Sequence, residues 1–599
     1  MRSFISIVMG IVAITGFVLL NLPEPVVTER TTNSDSDSNL QTWRFLNATW
    51  FDGQRWQSGE LLIENGQVVD AIKGSANELD VAGRYIIPGL IDAHTHTWGD
   101  ALRQALQFGV TTELDMFTQP NVVQQARRQR DRLTATTEAD LFSSGVLATS
   151  PRGHGTEYGL KIPTLNSPSE ALSFVRQRHQ EGSDYLKIVY HHQPNYGPYT
   201  SIDRATLKAL IQAAHHEGMM AVVHASHLEA ARHAVEDGAD GLVHMISDQP
   251  IDTAFIELIK QKNTFIVPTL TVIAAMAQQS STEFLLPESY VGSVLSTSQK
   301  HQLKSTFDHA GHRQKALTIA IENTRKLSQA GIDILSGTDA PNPGTAHGIS
   351  LHNELFLLQQ AGLSNTQLLQ TASSAANKRF NIGSRGLLTI GSRADLLILS
   401  LDPRENIQHT QAISMIMKNG FWVNLTSTSN ATSTLPVYDF TEISAEDFSL
   451  TPTIKFSATS DQMFSGHSIA HLKVSPSTCS NTPALVIDGE IKDGFPYPWS
   501  GLMLPFSQNM ASAYSLNNHS HLLFNSQGTP GQFRLLIFVQ GKSQPEEIRF
   551  KVTAECQAHR IKLADHQQID WQSVTALAWV AGKQQSKFTL SLDSIKLIQ

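Results

Sequence analysis

The feature that most constrains this fold is the alternation of short, β-rich apolar runs with helical patterns between about Asp92 and Ala340. Such alternation is typical of βα units whose strands lie parallel in one sheet. The segment from Asp203 to Gly218 has apolar residues at helical spacing and ends on glycine, so it is predicted to be one of the helices. Eight runs fit a closed (β/α)8 TIM barrel, which we assign to residues 88–385. The predicted strands lie at 86–96, 109–116, 141–150, 185–190, 219–226, 241–247, 263–272 and 332–340.

Alternating apolar and polar residues flank this barrel on both sides. Residues 43–87 and 386–424 both follow this pattern, and we predict that the two halves build one small composite β-sandwich. A linker rich in Ser, Thr and Asn follows at 425–437. Residues 438–599 consist mostly of short alternating runs, which predicts a separate all-β sandwich domain. The chain is therefore expected to be multidomain, as its length of 599 residues also suggests.

The first 25 residues predict export or membrane attachment. An apolar run at 4–22 follows Arg2 and is long enough to span a bilayer, so residues 1–25 are a signal peptide or an uncleaved anchor. The polar segment at 26–42 is expected to be a tether. These segments predict a body outside the cytoplasm, in the periplasm, either soluble or anchored to the inner membrane. The net charge of −9, with no long basic run, argues against nucleic acid as a partner.

The two cysteines of the chain exclude thiolate chemistry from the predicted barrel and leave open whether they form a disulfide. Cys479 and Cys556 are the only cysteines, and both lie in the last quarter of the chain. A thiolate nucleophile or a thiolate zinc site is therefore excluded from the predicted barrel. The pair fits either one disulfide in an oxidising compartment or two buried thiols.

Histidines and one aspartate stand at the ends of several predicted strands. His94 and His96 are two residues apart in the first strand, so their side chains share a face. His224 ends the fifth strand, His244 lies in the sixth and Asp339 ends the eighth. The carboxyl ends of barrel strands carry the active site, and imidazoles with a carboxylate suit zinc or a similar divalent ion. We therefore predict a metal site from the whole set of residues rather than from the HxH pair alone.

Lys187, in the fourth predicted strand, conflicts with such a site if it stays charged. An ammonium beside divalent cations would be strongly repelled. Conversion to a carbamate by carbon dioxide would give an anion with two oxygens that bridge two metals. The alternative is that Lys187 points to solvent or pairs with Asp184.

Taken together, these residues resemble a known family. The run PGLIDAHTH, Lys187, the histidines at two strand ends, GTDA at Asp339 and GLLTIGSRADLLIL resemble the amidohydrolase superfamily, particularly its imidazolonepropionase-like branch. The resemblance covers roughly residues 43–424. It implies that His94, His96 and Asp339 hold the more buried metal, that His224 and His244 hold the other, and that carboxylated Lys187 bridges them. The family also contains single-metal members.

The resemblance and the ligand chemistry together predict a hydrolase. A divalent metal, expected to be zinc, lowers the pKa of water so that hydroxide is the nucleophile, and Asp339 is expected to pass the proton to the leaving nitrogen. His154, in PRGHGTEYG, and Tyr190 are predicted to contact the substrate. The predicted substrate is a small molecule or short peptide with an amide, cyclic amide or dipeptide C–N bond. The alternatives are a single-metal deaminase or imidazolone-type ring hydrolase, and a non-catalytic extracytoplasmic module that binds a glycan or protein.

The last domain has a resemblance of its own. ALVIDGEIKDGFPYPWSGLML, followed by FRLLIFVQG and KFTLSLDSIKLI, resembles the jelly-roll domain of the complex I intermediate-associated protein 30 family, a galactose-binding-like fold. The resemblance implies that this domain contacts a glycan, the barrel or another protein.

Overall fold

A computed structural model of the chain describes residues 41–424 and 449–598, apart from short gaps. The predicted apolar segment at 4–22 and the linker at 425–437 lie outside the described residues. Among the described residues, no helix is long and apolar enough to cross a membrane. The gaps fall at 99, 157–161, 194, 197–198, 281, 287–288, 296, 308–314, 452–453, 462–467, 478, 480–482, 493–497, 507–513, 518 and 541–544.

The elements before and within the βα region follow one another in chain order. Five strands come first: β1 (Trp43–Phe51), β2 (Trp56–Glu64), β3 (Gln67–Val69), β4 (Asn77–Asp80) and β5 (Tyr85–Pro88). The βα region begins with β6 (Leu90–Thr95), α1 (Ala101–Gln107), β7 (Val110–Asp115), α2 (Pro120–Gln129), β8 (Asp140–Ser143), α3 (Ala171–Glu181), β9 (Leu186–Val189), β10 (Asn195–Tyr196), β11 (Tyr199–Thr200) and α4 (Arg204–His216). It continues with β12 (Ala221–His224), α5 (Leu228–Glu236), β13 (Gly241–Val243), α6 (Thr253–Lys262), β14 (Phe265–Val267), α7 (Leu270–Met276), α8 (Tyr290–Val294), α9 (Thr297–Lys304), α10 (Ala316–Gln329), α11 (Ile349–Gln360), α12 (Asn365–Thr371) and α13 (Ser374–Phe380).

The remaining elements are almost all strands. The chain continues with β15 (Leu396–Leu399), β16 (Ile413–Lys418), β17 (Phe421–Trp422), β18 (Ser449–Thr451), β19 (Ile454–Lys455), β20 (Ser457–Ser460), β21 (Ile469–Pro476), β22 (Pro483–Glu490) and β23 (Trp499–Pro505). It ends with β24 (His521–Gly528), β25 (Gly531–Val539), β26 (Glu546–Val552), β27 (Gln557–Lys562), β28 (Val574–Gly582) and β29 (Lys587–Ile598). Short 3₁₀ turns lie at Pro168–Glu170, Ile407–Gln411 and Leu563–Asp565.

Seven of the eight predicted parallel strands form, in two sheets. One sheet has the order β6-β7-β8 and the other β14-β13-β12-β9. The eighth predicted strand, residues 332–340, contributes only isolated parallel bridges, at Ile334 to Ile266 and at Ala340 to Thr95. A third bridge, between Ala148 and Ile188, joins the chain beyond β8 to β9.

A single hydrophobic cluster takes side chains from or beside every one of these strands and from the segment 332–340. Three further buried members come from the end of the βα region: Ala376 and Phe380 of α13, and Ile382 just after it. The members are Ile91, Ala93, Leu114, Met116, Phe142, Tyr185, Val222, Val243, Phe265, Val267, Leu335, Ala376, Phe380 and Ile382. The two sheets therefore enclose a common core.

The helices begin where the sequence offers capping side chains. The helix predicted between Asp203 and Gly218 is confirmed as α4, and the Asp203 carboxylate accepts a hydrogen bond from the Thr206 amide at its start. Asp252 caps α6 in the same way through the Phe255 amide. The outer faces of the strands and the apolar faces of these helices pack into a larger core that includes Leu207, Leu210 and Ile259.

The two flanking halves join within one sheet. Its strand order is β17-β16-β15-β5-β1-β2-β3, with β4 also paired to β1. The β3 end of the sheet meets the chain just before β15, where Ala394 donates to the Gly66 carbonyl and Val68 donates to the Ser392 carbonyl. The core of this sheet contains Phe45, Ile63, Ile86 and Leu396.

A buried charge network connects this sheet to the start of β8. The Asp140 carboxylate accepts from Arg385 at 2.6 Å, Arg393 at 2.8 Å and Lys418 at 2.9 Å. The Lys418 ammonium also donates to Asp395 at 2.9 Å and is fully buried. Burial raises the pKa of Asp140, but the three cations outweigh burial and leave the pKa below its ordinary value.

The C-terminal residues form two five-stranded antiparallel sheets, as expected of an all-β region. Their orders are β20-β23-β28-β25-β26 and β21-β22-β29-β24-β27. One core contains side chains from both sheets, including Leu502 and Trp579 from the first and Ile487 and Leu590 from the second. Cys479 and Cys556 form a disulfide, which decides between the two readings of this pair.

Candidate metal centre

The predicted ligands come together at the carboxyl ends of the parallel strands. His94 lies on β6 and His224 ends β12, while His244 directly follows β13. The ring centroids of His94 and His244 are 4.9 Å apart, and those of His224 and His244 are 4.4 Å apart. His96 is 5.6 Å from His94 by the same measure. Four imidazoles from three strands therefore share one pocket.

Asp339 lies against these rings. Its Oδ1 atom is 3.2 Å from Nε2 of His94 and 3.0 Å from Nε2 of His96, and its Oδ2 atom is 3.9 Å from Nδ1 of His244. Single ligand atoms of His94, His244 and Asp339 all lie within 4.8 Å of one another. This spacing is compact enough for three residues to share one ion.

The backbone at two of these ligands adopts a left-handed conformation. His244 has φ 69° and Asp339 has φ 59°, a region that costs energy for residues other than glycine. Gly337, two residues before Asp339, packs between Val267 and His94: a Cβ there would be 2.4 Å from a Val267 methyl and 2.8 Å from His94 Cβ. A side chain at position 337 would therefore clash with the chain at His94, so glycine allows the eighth segment to approach this closely.

Asp92 holds the first and last ligand segments together, a role the sequence did not reveal. Its carboxylate accepts hydrogen bonds from the amides of His94 and Thr338, both at 3.1 Å, and from the Thr338 hydroxyl at 2.7 Å. His94 and Asp339 are thus positioned by one buried side chain. Its place in PGLIDAHTH, two residues before His94, was the available signal.

Burial dominates the electrostatics of the pocket. It lowers the pKa of His94 to about 3, with a further contribution from the Lys187 ammonium, and it lowers the pKa of His224 and His244 well below the ordinary value. Burial raises the pKa of Asp339, but the neighbouring imidazoles outweigh it and hold that pKa well below its usual range. These shifts favour neutral rings for His94, His224 and His244 and an ionised carboxylate for Asp339, the protonation states that bind metal.

Lys187 is buried at 2 % exposure and does not point to solvent. It lies on β9, where it pairs in register with Val222 of β12, two residues before His224. Burial lowers its pKa to about 7, opposed by the negative charges of Asp339 and Asp115. No ion pair joins it to Asp184, whose carboxylate instead binds Arg130 at 2.7 Å.

Unsatisfied polar atoms in this pocket fit a divalent cation. Both ring nitrogens of His94, Nδ1 of His96 and Oδ1 of Asp339 are buried and accept or donate no hydrogen bond of acceptable geometry within the described residues. Buried polar atoms are otherwise almost always paired, so this cluster needs an additional partner. Imidazole nitrogens and carboxylate oxygens are the donors that zinc and similar ions take.

The two predicted substrate contacts take different positions. The His154 ring lies 5.5 Å from that of His224 and 5.3 Å from that of Tyr199, at the edge of the pocket. Tyr190 is buried, and its hydroxyl is 2.9 Å from Nδ1 of His233 on α5. Substrate contact by either residue stays a prediction.

The long segment after β14 packs on the loop that follows Asp339. The Gln302 side chain donates to the carbonyls of Pro341 and Asn342, both at 3.1 Å, and Gly344 donates to the Gln302 carbonyl at 3.1 Å. Residues of α9 therefore lie beside the eighth segment, the side of the fold that carries the ligands.

His352, on α11, is a buried histidine outside this centre, and its burial predicts that the fold becomes less stable in acid. Its ring bonds the Thr410 hydroxyl and the Phe108 carbonyl, and burial lowers its pKa from 6.5 to about 4. Between pH 6.5 and about pH 4, His352 is therefore protonated in the unfolded chain but largely neutral in the folded one. The free energy of unfolding consequently falls as the pH falls through this range. The expected loss is about 3 kcal/mol by pH 4 and below.

Urea unfolding of wild type and His352→Gln between pH 7 and pH 4 measures this loss. We expect a shallower dependence on pH in the variant, because glutamine does not titrate. His215→Gln, at a half-exposed position on α4, is the matched control and should follow wild type. Equal slopes for His352→Gln and wild type would contradict the assignment.

Comparison with known proteins places the fold and the site in a family. A sequence profile described as the amidohydrolase family matches residues 85–426, more than half of the chain. The chain belongs to the amidohydrolase family. It is accordingly a hydrolase that acts on C–N bonds, and members of this superfamily typically bind a divalent metal. The alternative of a non-catalytic binding module is thereby set aside.

Solved structures agree with this amidohydrolase at the level of the fold. A Xaa-Pro dipeptidase with bound methionine shares 20% identity and a TM-score of 0.52, covering 64% of this chain and 100% of its own. A putative prolidase from Bifidobacterium longum shares 22% identity with a TM-score of 0.52, covering 64% and 95%. The ochratoxinase of A. niger shares 18% identity with a TM-score of 0.51, covering 64% and 95%. No curated protein sequence matches the chain.

Proposed function

We propose that this amidohydrolase cleaves an amide, cyclic amide or dipeptide bond in a small molecule or short peptide, using two divalent ions, zinc being our first choice. The carrying observation is the buried, unsatisfied ligand cluster of His94, His96 and Asp339 beside His244. His94, His96 and Asp339 would hold one ion, and His224 and His244 the other. When bound, the ions activate water and polarise the scissile carbonyl.

Asp339 is the residue we assign to proton transfer. Its carboxylate is buried at 5 % exposure and lies among the ligand rings, and its lowered pKa indicates only that it is ionised at neutral pH, the form that has an oxygen open to a proton. Protonation of the leaving nitrogen requires a donor inside the water-poor pocket, and Asp339 is the carboxylate that contacts the ligand rings. His154, at the pocket edge, is proposed to contact the substrate.

Lys187 is proposed to carry a carbamate. Burial makes the neutral amine accessible near neutral pH, and that amine adds to carbon dioxide with loss of one proton to give –NH–COO⁻. Lys187 contributes to the lowered pKa of His94, His224 and His244, which supports its position among both sets of ligands. A carbamate there would replace a repelling ammonium with a bridging anion.

A single-ion deaminase or ring hydrolase is the second candidate. It is favoured by the compact group of His94, His244 and Asp339, which alone meets the spacing of one ion among the described residues. Counting bound metal per chain in the purified enzyme distinguishes the two candidates. One tightly held ion would remove the bridging role from Lys187.

A substrate screen tests the reaction class. Zinc-loaded enzyme should hydrolyse at least one compound among proline dipeptides, other dipeptides, N-acyl amino acids and lactams, and a chelator should abolish this activity. Proline dipeptides come first because two of the structures above are a Xaa-Pro dipeptidase and a putative prolidase. Hydrolysis of lactones with no turnover of any amide would overturn the C–N assignment.

We also propose where the enzyme is located and how its domains are built. An extracytoplasmic site, in the periplasm, is supported by the apolar run at 4–22 and by the Cys479–Cys556 disulfide, because disulfides persist in oxidising compartments. Closure of the two parallel sheets into a (β/α)8 barrel is supported by the bridges and by the shared core. For the C-terminal sheets we propose a jelly-roll sandwich that binds a glycan or protein.

A further inference from the structure

Thr269 contacts one of the proposed ligands from outside the pocket. Its Oγ1 atom lies 2.8 Å from Nδ1 of His244, and the residue is fully buried. The backbones are also in register, since His244 donates to the Val267 carbonyl and Met245 to the Pro268 carbonyl. A hydrogen bond on one ring nitrogen fixes the rotation and tautomer of an imidazole and leaves the other nitrogen for a metal.

Thr269 occupies a position at the start of a helix where a threonine hydroxyl usually caps the helix. It is the N-cap residue of α7, where a threonine side chain usually accepts a hydrogen bond from the first turn. Here the side chain makes no capping hydrogen bond, and the backbone is left-handed with φ 49°. A β-branched residue rarely adopts this conformation, so the surrounding structure must hold it there.

Glu354, on α11, caps α7 in place of Thr269. Its Oε1 atom accepts from the Leu270 amide at 3.0 Å, and its Oε2 atom accepts from the Thr271 amide at 2.9 Å and the Thr271 hydroxyl at 2.8 Å. Both amides belong to the first turn, whose N–H groups have no partner within the helix. Glu354 is completely buried. Because its carboxylate accepts the hydrogen bonds of the first-turn amides, the Thr269 hydroxyl is not needed as a cap and is available to His244.

We propose that Thr269 and Glu354 are positioning residues for His244 in metal binding: Thr269 orients the ring, and Glu354 holds Thr269. The inference rests on the proposed metal-binding function. It adds two residues that do not touch the ion and that lie on different elements from the ligand. Through Glu354 and Thr269, helix α11, which carries no proposed ligand, is connected to the proposed metal centre.

The test measures cobalt(II) affinity of the purified chain by its visible absorption in competition with a chelator. Thr269→Val keeps the branched shape and removes the hydroxyl, and we expect about 10- to 100-fold weaker binding. Thr269→Ser keeps the hydroxyl and should restore affinity to nearly the wild-type value. Glu354→Gln should also weaken binding, and the double variant should lose less than the sum of the two, because both act through one ring.

Thr324→Val is the matched control. Its buried hydroxyl donates to the Ala320 carbonyl within α10 at 2.8 Å and has no contact with the centre, so it should leave cobalt affinity unchanged. Wild-type affinity in Thr269→Val would overturn this inference alone, as would equal weakening in Thr324→Val. No cobalt binding by the wild type would overturn the proposed function together with it.

Discussion

Asp339→Asn is expected to reduce hydrolysis of the identified substrate by about 10²–10⁴-fold, the range typical for loss of a general acid–base group. Asparagine keeps the size of the side chain but neither accepts a proton nor carries the charge that stabilises a bound cation. The carboxylate it replaces lies 3.2 Å from His94 and 3.0 Å from His96, so the change falls within the ligand cluster. The measurement is kcat/KM at saturating zinc, together with the zinc content of each variant.

The control for this variant is Asp333→Asn, on the same segment. Asp333 binds Arg379 at 2.6 Å and is about one-third exposed, away from the ligand cluster. Its replacement should change kcat/KM by less than about twofold, since exposed substitutions have small effects. Undiminished hydrolysis in Asp339→Asn that retains full zinc would refute the proton-transfer role.

Lys418→Met is expected to destabilise the fold by about 3–5 kcal/mol, the cost of removing one partner from a buried ion network. The ammonium is fully buried between Asp140 and Asp395, at 2.9 Å from each. Methionine fills a similar volume but leaves the Asp395 carboxylate without its cation in a site closed to water. Asp140 retains Arg385 and Arg393, so the loss is expected to centre on Asp395.

Urea unfolding monitored by tryptophan fluorescence measures this loss, with Lys473→Met as the comparison. Lys473 also pairs with an aspartate, Asp488, at 2.6 Å, but both side chains are largely exposed. Water screens that pair, so its removal should cost less than about 1 kcal/mol. A midpoint shift for Lys418→Met no larger than that for Lys473→Met would show that the buried network contributes little.

The sequence predicted the parts of this molecule that depend on local patterns. Alternating apolar runs placed seven parallel strands, and Asp203 with Gly218 bounded α4 correctly. The eighth run was predicted as a strand because its composition is apolar, but it forms only isolated bridges, and it contains the tight approach at Gly337 and the left-handed residue Asp339. Periodicity does not report such backbone turns.

Contacts between distant residues were beyond prediction from one sequence. Asp140 and Lys418 meet only because the flanking sheet lies against the start of β8. Glu354 is an ordinary helix residue by pattern, and its function as the cap of α7 depends on how two helices pack. The convergence of the predicted ligand residues, in contrast, could be expected from the sequence, because the carboxyl ends of parallel strands meet on one side of such a fold.

The hydrogen bonds of the Asp92 carboxylate have a consequence for the order of steps in folding. It joins β6, which begins the parallel region, to the segment that ends it, through the amides of His94 and Thr338. The ribosome must have synthesised the chain as far as Asp339 before the proposed ligands His94 and Asp339 can lie side by side. The long stretch of chain between them must then be closed into a loop. Metal uptake at the proposed centre is therefore expected to be a late step, and its rate in a refolding experiment should report completion of the whole parallel region.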